Sequence, residues 1–172
     1  MKVFLLIILT FSIISCGKKT AEEKVIENLE NDKVSRIDSN EDKMKEAIAQ
    51  ARKTVDEFIE ALESNDPNIK SLSVKVPLND GEQIEHIWLG NISYKDENFT
   101  GNISNEIKKV KGFKNGQEVT FSKENITDWM YIKGDVAQGN VTLKALFHTM
   151  DPEEVKVLKK MMGWSSEQNS SQ

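Results

Sequence analysis

Residues 71–94 read SLSVKVPLNDGEQIEHIWLGNISY, and this stretch decides the fold. Every second residue from Leu72 to Leu78 is apolar and its neighbours are mostly polar, which is typical of a strand with one buried face. Asn79-Asp80-Gly81 is a tight-turn sequence, so a second strand over residues 83–94 should return antiparallel to the first. The stretch therefore predicts the first hairpin of an antiparallel sheet.

The sequence before the hairpin predicts a long amphipathic helix. Apolar residues recur at helical spacing from Met44 to Leu62, and charged residues lie opposite them. Ser39 and Asp42 have the form of a capping box at its start. Pro67 indicates where this helix ends, because proline disfavours helical geometry in the residue before it.

Short apolar runs separated by turn residues follow the hairpin and predict further strands. These strands lie near residues 99–104, 118–121 and 126–132, and residues 140–146 are an ambiguous last one. Asp151-Pro152 then begins a short helix, because aspartate caps helix N termini and proline suits the first turn. The expected fold is α+β, with a long N-terminal helix packed on a curled antiparallel β-meander and a short C-terminal helix.

The start of the chain has the pattern of a lipoprotein signal peptide. Lys2 precedes an uncharged, mostly apolar run over residues 3–15, which is shorter than the roughly 20 residues that span a bilayer. Ile13-Ile14-Ser15-Cys16 resembles the lipobox of bacterial lipoproteins. Cys16 is the only cysteine, so no internal disulfide is available to it, and lipidation explains an exported lone thiol. A plain signal peptide with an incidental cysteine is the alternative.

These patterns divide the chain into four segments and indicate its location. Residues 1–15 are the signal peptide, 16–40 the lipidated cysteine with a flexible charged tether, 41–163 the folded domain and 164–172 a disordered tail. We expect an exported protein that acyl chains such as palmitate anchor to a membrane, at the periplasmic face or in the outer membrane. The net charge of −5 argues against nucleic acid as a partner, because phosphate binding requires clustered Lys and Arg.

Several segments, in order along the chain, resemble the YegJ-like family, a class of bacterial domains of unknown function. The resemblance is carried by Val74–Pro77, Glu85–Leu89, Phe99–Asn105 and Ile126–Tyr131. The last family feature, a Gly-Gly-aromatic-Thr step, is partly present in Gly139–Lys144, where Val141 replaces the aromatic residue. The resemblance implies a small α+β domain, often behind a signal or lipoprotein leader, and it implies no activity.

One constellation, Glu85-His86 with Asp128-Trp129, has the residue types for acid–base chemistry. A carboxylate beside a histidine fixes its tautomer and raises its pKa. Glu85 and His86 alternate to opposite faces of a strand, so Asp128 is the first carboxylate that could orient His86. The alternative is structural, with His86 bonded to a loop carbonyl and Asp128 capping a turn.

Large aromatic residues supply the best candidates for a binding surface. Aromatics on the exposed face of a curled sheet offer a large area at low entropy cost, although most aromatics in a small domain belong to its core. The candidate ligand-binding residues are His86, Trp88, Asp128, Trp129 and Tyr131. With two histidines and no metal-ligand or nucleophile motif, we expect no metal, no cofactor and no catalytic residue.

The preferred interpretation is a lipid-anchored, non-enzymatic envelope module that binds a protein or a small ligand. The first alternative is an acid–base or hydrolytic enzyme that uses His86 with Asp128. The second alternative is an immunity or inhibitor protein against an envelope toxin. A cleft that joins His86 to a carboxylate favours the enzyme, and an exposed aromatic patch favours binding.

The substitution Cys16→Ser tests the anchor. Because lipidation requires the thiol, we expect the variant to incorporate no labelled palmitate and to keep its signal peptide. Metabolic labelling followed by electrophoresis measures both effects. The control Ser15→Ala keeps a small residue before the cysteine and should be labelled and cleaved. Labelled fatty acid in the Cys16→Ser chain would contradict the anchor.

Overall fold

The computed structural model describes residue 20, residues 22–23 and residues 42–164. The predicted signal peptide, Cys16 and nearly all of the predicted tether lie outside the described residues. Ser39 of the predicted capping box and all but the first residue of the predicted tail also lie outside them. In the described ranges, no helix has the length and apolar character needed to cross a membrane.

The described part of the chain contains four α-helices and six strands. The helices are α1 (Asp42–Lys53), α2 (Val55–Glu63), α3 (Val141–Leu146) and α4 (Pro152–Met161). The strands are β1 (Ile69–Asn79), β2 (Ile84–Lys95), β3 (Asn98–Ile103), β4 (Glu118–Ser122), β5 (Asp128–Lys133) and β6 (Val136–Gly139). Short 3₁₀ turns cover Lys123–Asn125 and Phe147–Thr149.

The strands form one antiparallel sheet with the order β4-β3-β2-β1-β5-β6. Neighbouring strands from β1 to β4 follow chain order, and β1 pairs with β2 across the predicted turn, with Asn79 opposite Ile84. The chain then crosses from β4, at one edge, to the other side of β1. There β5 pairs with β1, so that Lys75 lies between Trp88 of β2 and Asp128 of β5.

The predicted architecture, a long N-terminal helix on a curled meander with a short C-terminal helix, is wrong. The helical region is interrupted at Thr54, and α1 has only 12 residues. The hydroxyl of Thr54 donates to the carbonyl of Gln50 at 3.0 Å, a back-bond that bends helices. The sheet is not a meander, because β5 returns to β1. Asn140 precedes α3, and residues 141–146 form this helix. The ambiguous stretch 140–146 is therefore not a strand.

The main core lies between one face of the sheet and the helices α1 and α2. Phe58 of α2 is fully buried, and its ring centre lies 5.9 Å from that of Phe99 and 6.1 Å from that of Trp129. The sheet contributes its fully buried residues Val74, Val76, Leu78, Ile87, Leu89 and Phe99. A smaller cluster around Leu143 and Leu158 joins α3 to α4.

The substitution Phe58→Ala tests the packing of α2 on the sheet. Phe58 contacts aromatic rings from two strands, so we expect the free energy of unfolding to fall by about 3–5 kcal/mol. Chemical denaturation monitored by circular dichroism measures the change. The exposed neighbour Glu57→Ala is the control and should stay within about 0.5 kcal/mol of the wild type. Equal unfolding of the two variants would contradict this packing.

Candidate functional site

The site lies on the face of the sheet that points away from α1 and α2. Side chains alternate along each strand, so the neighbours of the buried residues in β1, β2 and β3 share this second face. We call it the open face, and it comprises Ser73, Lys75, Pro77, His86, Trp88, Thr100 and Asn102. All of these residues are half-buried, whereas their neighbours on the core face are almost completely buried.

Lys75 and Trp88 form the central pair of the open face. The backbone N–H of Trp88 donates to Asn105 Oδ1 and its carbonyl accepts from Ser104, so both groups point toward β3. Lys75 and Trp88 are therefore a non-hydrogen-bonded cross-strand pair, in which side chains approach most closely. The Nζ atom of Lys75 lies 4.5 Å from the centre of the Trp88 ring, a cation–π contact.

Asp128 is fully buried beside this pair, and its carboxylate is used to hold α3. It accepts from the backbone N–H of Val141 at 3.2 Å and of Thr142 at 2.9 Å, so it caps the N terminus of α3. It also accepts from the Thr142 hydroxyl, and from the N–H of Trp129 at 2.9 Å. Four donors therefore satisfy this carboxylate.

Lys75 reaches the same carboxylate through Thr142. Its ammonium donates to Thr142 Oγ1 at 2.7 Å and lies 3.9 Å from the carboxylate of Asp128. Burial lowers the pKa of Lys75, and the negative charge of Asp128 opposes that shift. The lysine is thus held in place by a hydroxyl, a ring face and a nearby charge.

The turn before α3 has a backbone that requires glycine. Gly139 has a φ of +72°, and a Cβ atom at this position would collide with the carbonyl oxygen of Trp129. That carbonyl accepts from the N–H of Asn140 at 2.8 Å. This close approach brings the first residues of α3 within reach of Asp128.

His86 is bonded to a hydroxyl, not to a carboxylate. Its Nδ1 lies 3.0 Å from Thr127 Oγ1. The Thr127 hydroxyl also lies 3.3 Å from the carbonyl of Lys75, which accepts from the backbone N–H of Thr127 at 2.8 Å. Burial lowers the pKa of His86, and the positive charges of Lys75 and Arg52 add to the shift. The lowered pKa favours the neutral form of the imidazole.

The five predicted binding residues separate into two groups. His86, Trp88 and Asp128 lie together, on or beside the open face. Trp129 is only 4% exposed and donates through Nε1 to the carbonyl of Ala51 at 3.0 Å, so it belongs to the core. Tyr131 also packs against the core, and its ring stacks on Trp129 at 5.9 Å.

Glu85 has a different role from His86. Its carboxylate accepts from the backbone N–H groups of Lys108 at 2.9 Å, Lys109 at 2.7 Å and Val110 at 3.2 Å. It therefore holds the loop between β3 and β4. The nearby Asp80 accepts from the N–H of Lys111 at 2.8 Å, and this bond with those from Gln83 and Glu82 lowers its pKa to about 2.

Sequence reasoning missed four residues that build the site, namely Arg52, Lys75, Thr127 and Thr142. Lys75 had a detectable signal, because it is a charged residue on a strand whose other face is apolar. The other three had none, because their partners lie on elements distant in sequence. In the described ranges, no group of three or more His, Cys, Asp or Glu residues is placed to hold a metal ion.

Most of the chain is similar to a family of bacterial proteins. A family model for an uncharacterized protein conserved in bacteria (DUF2314) matches residues 41–165. The uncharacterized protein YegJ of Escherichia coli K12 is 39% identical over 116 residues, which cover 67% of this chain and 74% of that protein. The predicted resemblance to the YegJ-like family is confirmed.

A second relative is a longer protein. A putative ankyrin repeat protein (NMB1133/NMB1171) of Neisseria meningitidis serogroup B is 31% identical over 85 residues. These residues cover 47% of this chain and 34% of that protein. No solved structure matches the chain.

The substitution Asp128→Ala tests the role of the buried carboxylate. It leaves the ammonium of Lys75 without its counter-charge and the first N–H groups of α3 without an acceptor. We expect the free energy of unfolding to fall by about 3–5 kcal/mol, as when one partner of a buried ion pair is removed. Denaturant unfolding measures it. The control is Asp135→Ala, an exposed carboxylate in the turn after β5. A loss no larger than the control's would contradict the capping role.

Proposed function

The chain belongs to the DUF2314 family of uncharacterized bacterial proteins, and we propose that it is a lipid-anchored, non-enzymatic binding module of the cell envelope. Its ligand binds the open face of the sheet, at Lys75, His86 and Trp88. One observation carries this proposal: these three side chains stand together on the open face, and one polar group of His86 and one of Trp88 have no hydrogen-bond partner in residues 42–164.

The free polar groups are the Nε2 atom of His86 and the indole N–H of Trp88. Neither forms a hydrogen bond within residues 42–164, although both side chains are half-buried. Half-buried polar groups usually have a partner, and tryptophan usually pairs its N–H when it is covered. An aromatic ring beside a fixed ammonium is therefore a preformed recognition surface that a ligand would complete.

The contacts support binding more strongly than acid–base catalysis. The carboxylate of Asp128 is saturated by donors from α3 and its own strand, and Glu85 is bonded to the loop after β3. His86 is oriented by Thr127, so no carboxylate of the described residues stabilises its imidazolium form. A neutral histidine without that partner is better suited to accept or donate a hydrogen bond to a ligand.

The location of the module is inferred from the start of the sequence. The lipobox at Ile13–Cys16 supports a lipid anchor, and the charged segment after it would hold the domain away from the bilayer. The similarity to one part of a putative ankyrin repeat protein supports a unit that is used beside other domains. Membrane attachment then places the open face where envelope proteins or exported small molecules reach it.

The substitution Trp88→Ala tests binding at the open face. Large aromatic residues at the centre of an interface contribute about 2 kcal/mol or more, so we expect capture of the ligand to weaken by roughly 30-fold. The measurement is quantitative capture from solubilised native membranes with the intact, tagged lipoprotein. The control Met161→Ala removes an exposed apolar side chain on α4 and should capture normally. Unchanged capture by folded Trp88→Ala would exclude the open face as the binding surface.

A further inference from the structure

Three basic side chains are anchored on one tripeptide, Ile126-Thr127-Asp128, which leads into β5. Arg52, at the end of α1, donates through Nε to the carbonyl of Ile126 at 2.9 Å. His86 contacts the hydroxyl of Thr127 at 3.0 Å, and Lys75 lies 3.9 Å from the carboxylate of Asp128. We call Arg52, Lys75 and His86 the basic cluster. Its members come from a helix and two strands that only the tertiary fold brings together.

The anchors leave the outer ends of Arg52 and His86 free. The terminal guanidinium nitrogens of Arg52 form no hydrogen bond within residues 42–164, and this residue is exposed. Lys75 donates to Thr142 and lies over the Trp88 ring, so it contributes a fixed positive charge, and His86 keeps Nε2. The cluster is therefore held rigidly from inside and can bind from outside. Such preorganisation lowers the entropy cost of binding.

The charge of the cluster is opposite in sign to that of the whole protein. The chain has a net charge of −5, yet the charges that act on His86 are those of Lys75 and Arg52. Among the described residues, Asp128 is the one carboxylate whose charge shifts the pKa of Lys75. Its oxygens already accept hydrogen bonds from N–H groups of α3. With His86 neutral, the cluster and Asp128 together carry one excess positive charge. A monoanion would balance this charge.

From this arrangement we infer that Arg52, Lys75 and His86 form a carboxylate-binding site around Ile126-Thr127-Asp128, with Trp88 beside it. This inference rests on the proposed function, because it names the chemistry of the ligand that the open face binds. The planar guanidinium of Arg52 matches the two oxygens of a carboxylate through its terminal N–H groups. Lys75 adds a point charge, and Trp88 adds a ring edge for the apolar part of the ligand.

A phosphate group fits these residues less well than a carboxylate. Phosphate sites commonly use free backbone N–H groups at a helix N terminus. The helix N terminus that Lys75 contacts through Thr142 is that of α3, and its first N–H groups are bonded to Asp128.

Binding of a carboxylate should be linked to proton uptake by His86. The neutral ring carries a single N–H, whereas the imidazolium can donate from both of its nitrogens, to Thr127 and to an oxyanion. Lys75 from β1 and Arg52 from α1 disfavour the imidazolium, and the partner on the side of β5 is the uncharged Thr127 hydroxyl. A bound negative charge would offset these two cations and stabilise the imidazolium, so the pKa of His86 should rise.

The experiment is a histidine NMR titration of the full chain in detergent micelles, in sodium acetate and in sodium chloride at equal ionic strength. We expect the titration midpoint of His86 to be higher in acetate than in chloride. The ring resonances of His148, an exposed residue near α4, provide the internal reference and should be the same in both salts. Identical titration of His86 in the two salts would overturn the carboxylate site.

Variants assign the effect to the basic cluster. Arg52→Gln retains a donor for Ile126 but no charge, and we expect acetate affinity to fall at least about tenfold, equivalent to 1.4 kcal/mol. Lys75→Met should lower acetate affinity by the same factor. If Lys75→Met does not fold, the acetate affinity of Arg52→Gln alone tests the site. The control Lys95→Gln removes an exposed lysine at the far end of β2 and should bind acetate normally. Equal acetate affinity in Arg52→Gln and Lys95→Gln would contradict the inference.

Further arms of the titration identify the source of the carboxylate. A blocked tripeptide with a central glutamate that binds more tightly than acetate indicates a protein side chain, and weaker or equal binding indicates a small organic acid. The same peptide with glutamine should not bind. Inorganic phosphate that binds more tightly than acetate would overturn the carboxylate assignment. If acetate fails but Trp88→Ala still loses capture from membranes, the proposed binding module stands and the inferred ligand class does not.

Discussion

The buried carboxylate of Asp128 is the constraint on which the site depends. A charge without exposure to water is costly unless donors surround it, and here the donors come from α3, β5 and, through Thr142, from β1. The hydrogen bonds to Asp128 fix α3 against the start of β5, and Thr142 of α3 then holds Lys75 in a single position. Removing Asp128 would leave the first N–H groups of α3 without an acceptor and Lys75 without a counter-charge, so both depend on this one carboxylate.

This unit determines what the open face presents. Because Lys75 is held by Thr142, its ammonium stays over the Trp88 ring instead of extending into solvent. Thr127, next to Asp128, holds the ring of His86 in the same way. Lys75 and His86 are thus positioned by two buried residues, Thr142 and Thr127. The result is a positively charged, aromatic surface on a protein that is acidic overall.

The predictions from the sequence succeeded where short-range patterns decide the structure. The turn at Asn79–Gly81 joins two antiparallel strands, as predicted, and Asp151 caps the helix that begins at Pro152. The predicted single helix failed because the hydroxyl of Thr54 bonds to the preceding turn, an effect that apolar spacing does not reveal. The predicted meander failed because β5 pairs with β1, a pairing between strands separated by three others in the sequence.

The candidate site shows the same division between sequence and tertiary structure. The sequence by itself determined the first hairpin, the family and the nomination of His86, Trp88 and Asp128, because alternation and motif order depend on nearby residues. Only the tertiary structure decided that Asp128 holds a helix while His86 bonds to Thr127, and that Trp129 lies in the core. It alone brought Arg52 beside them. The physical reason is that a buried charge or ring takes its partners from whatever elements the fold places next to it, and that placement depends on long-range pairing of strands.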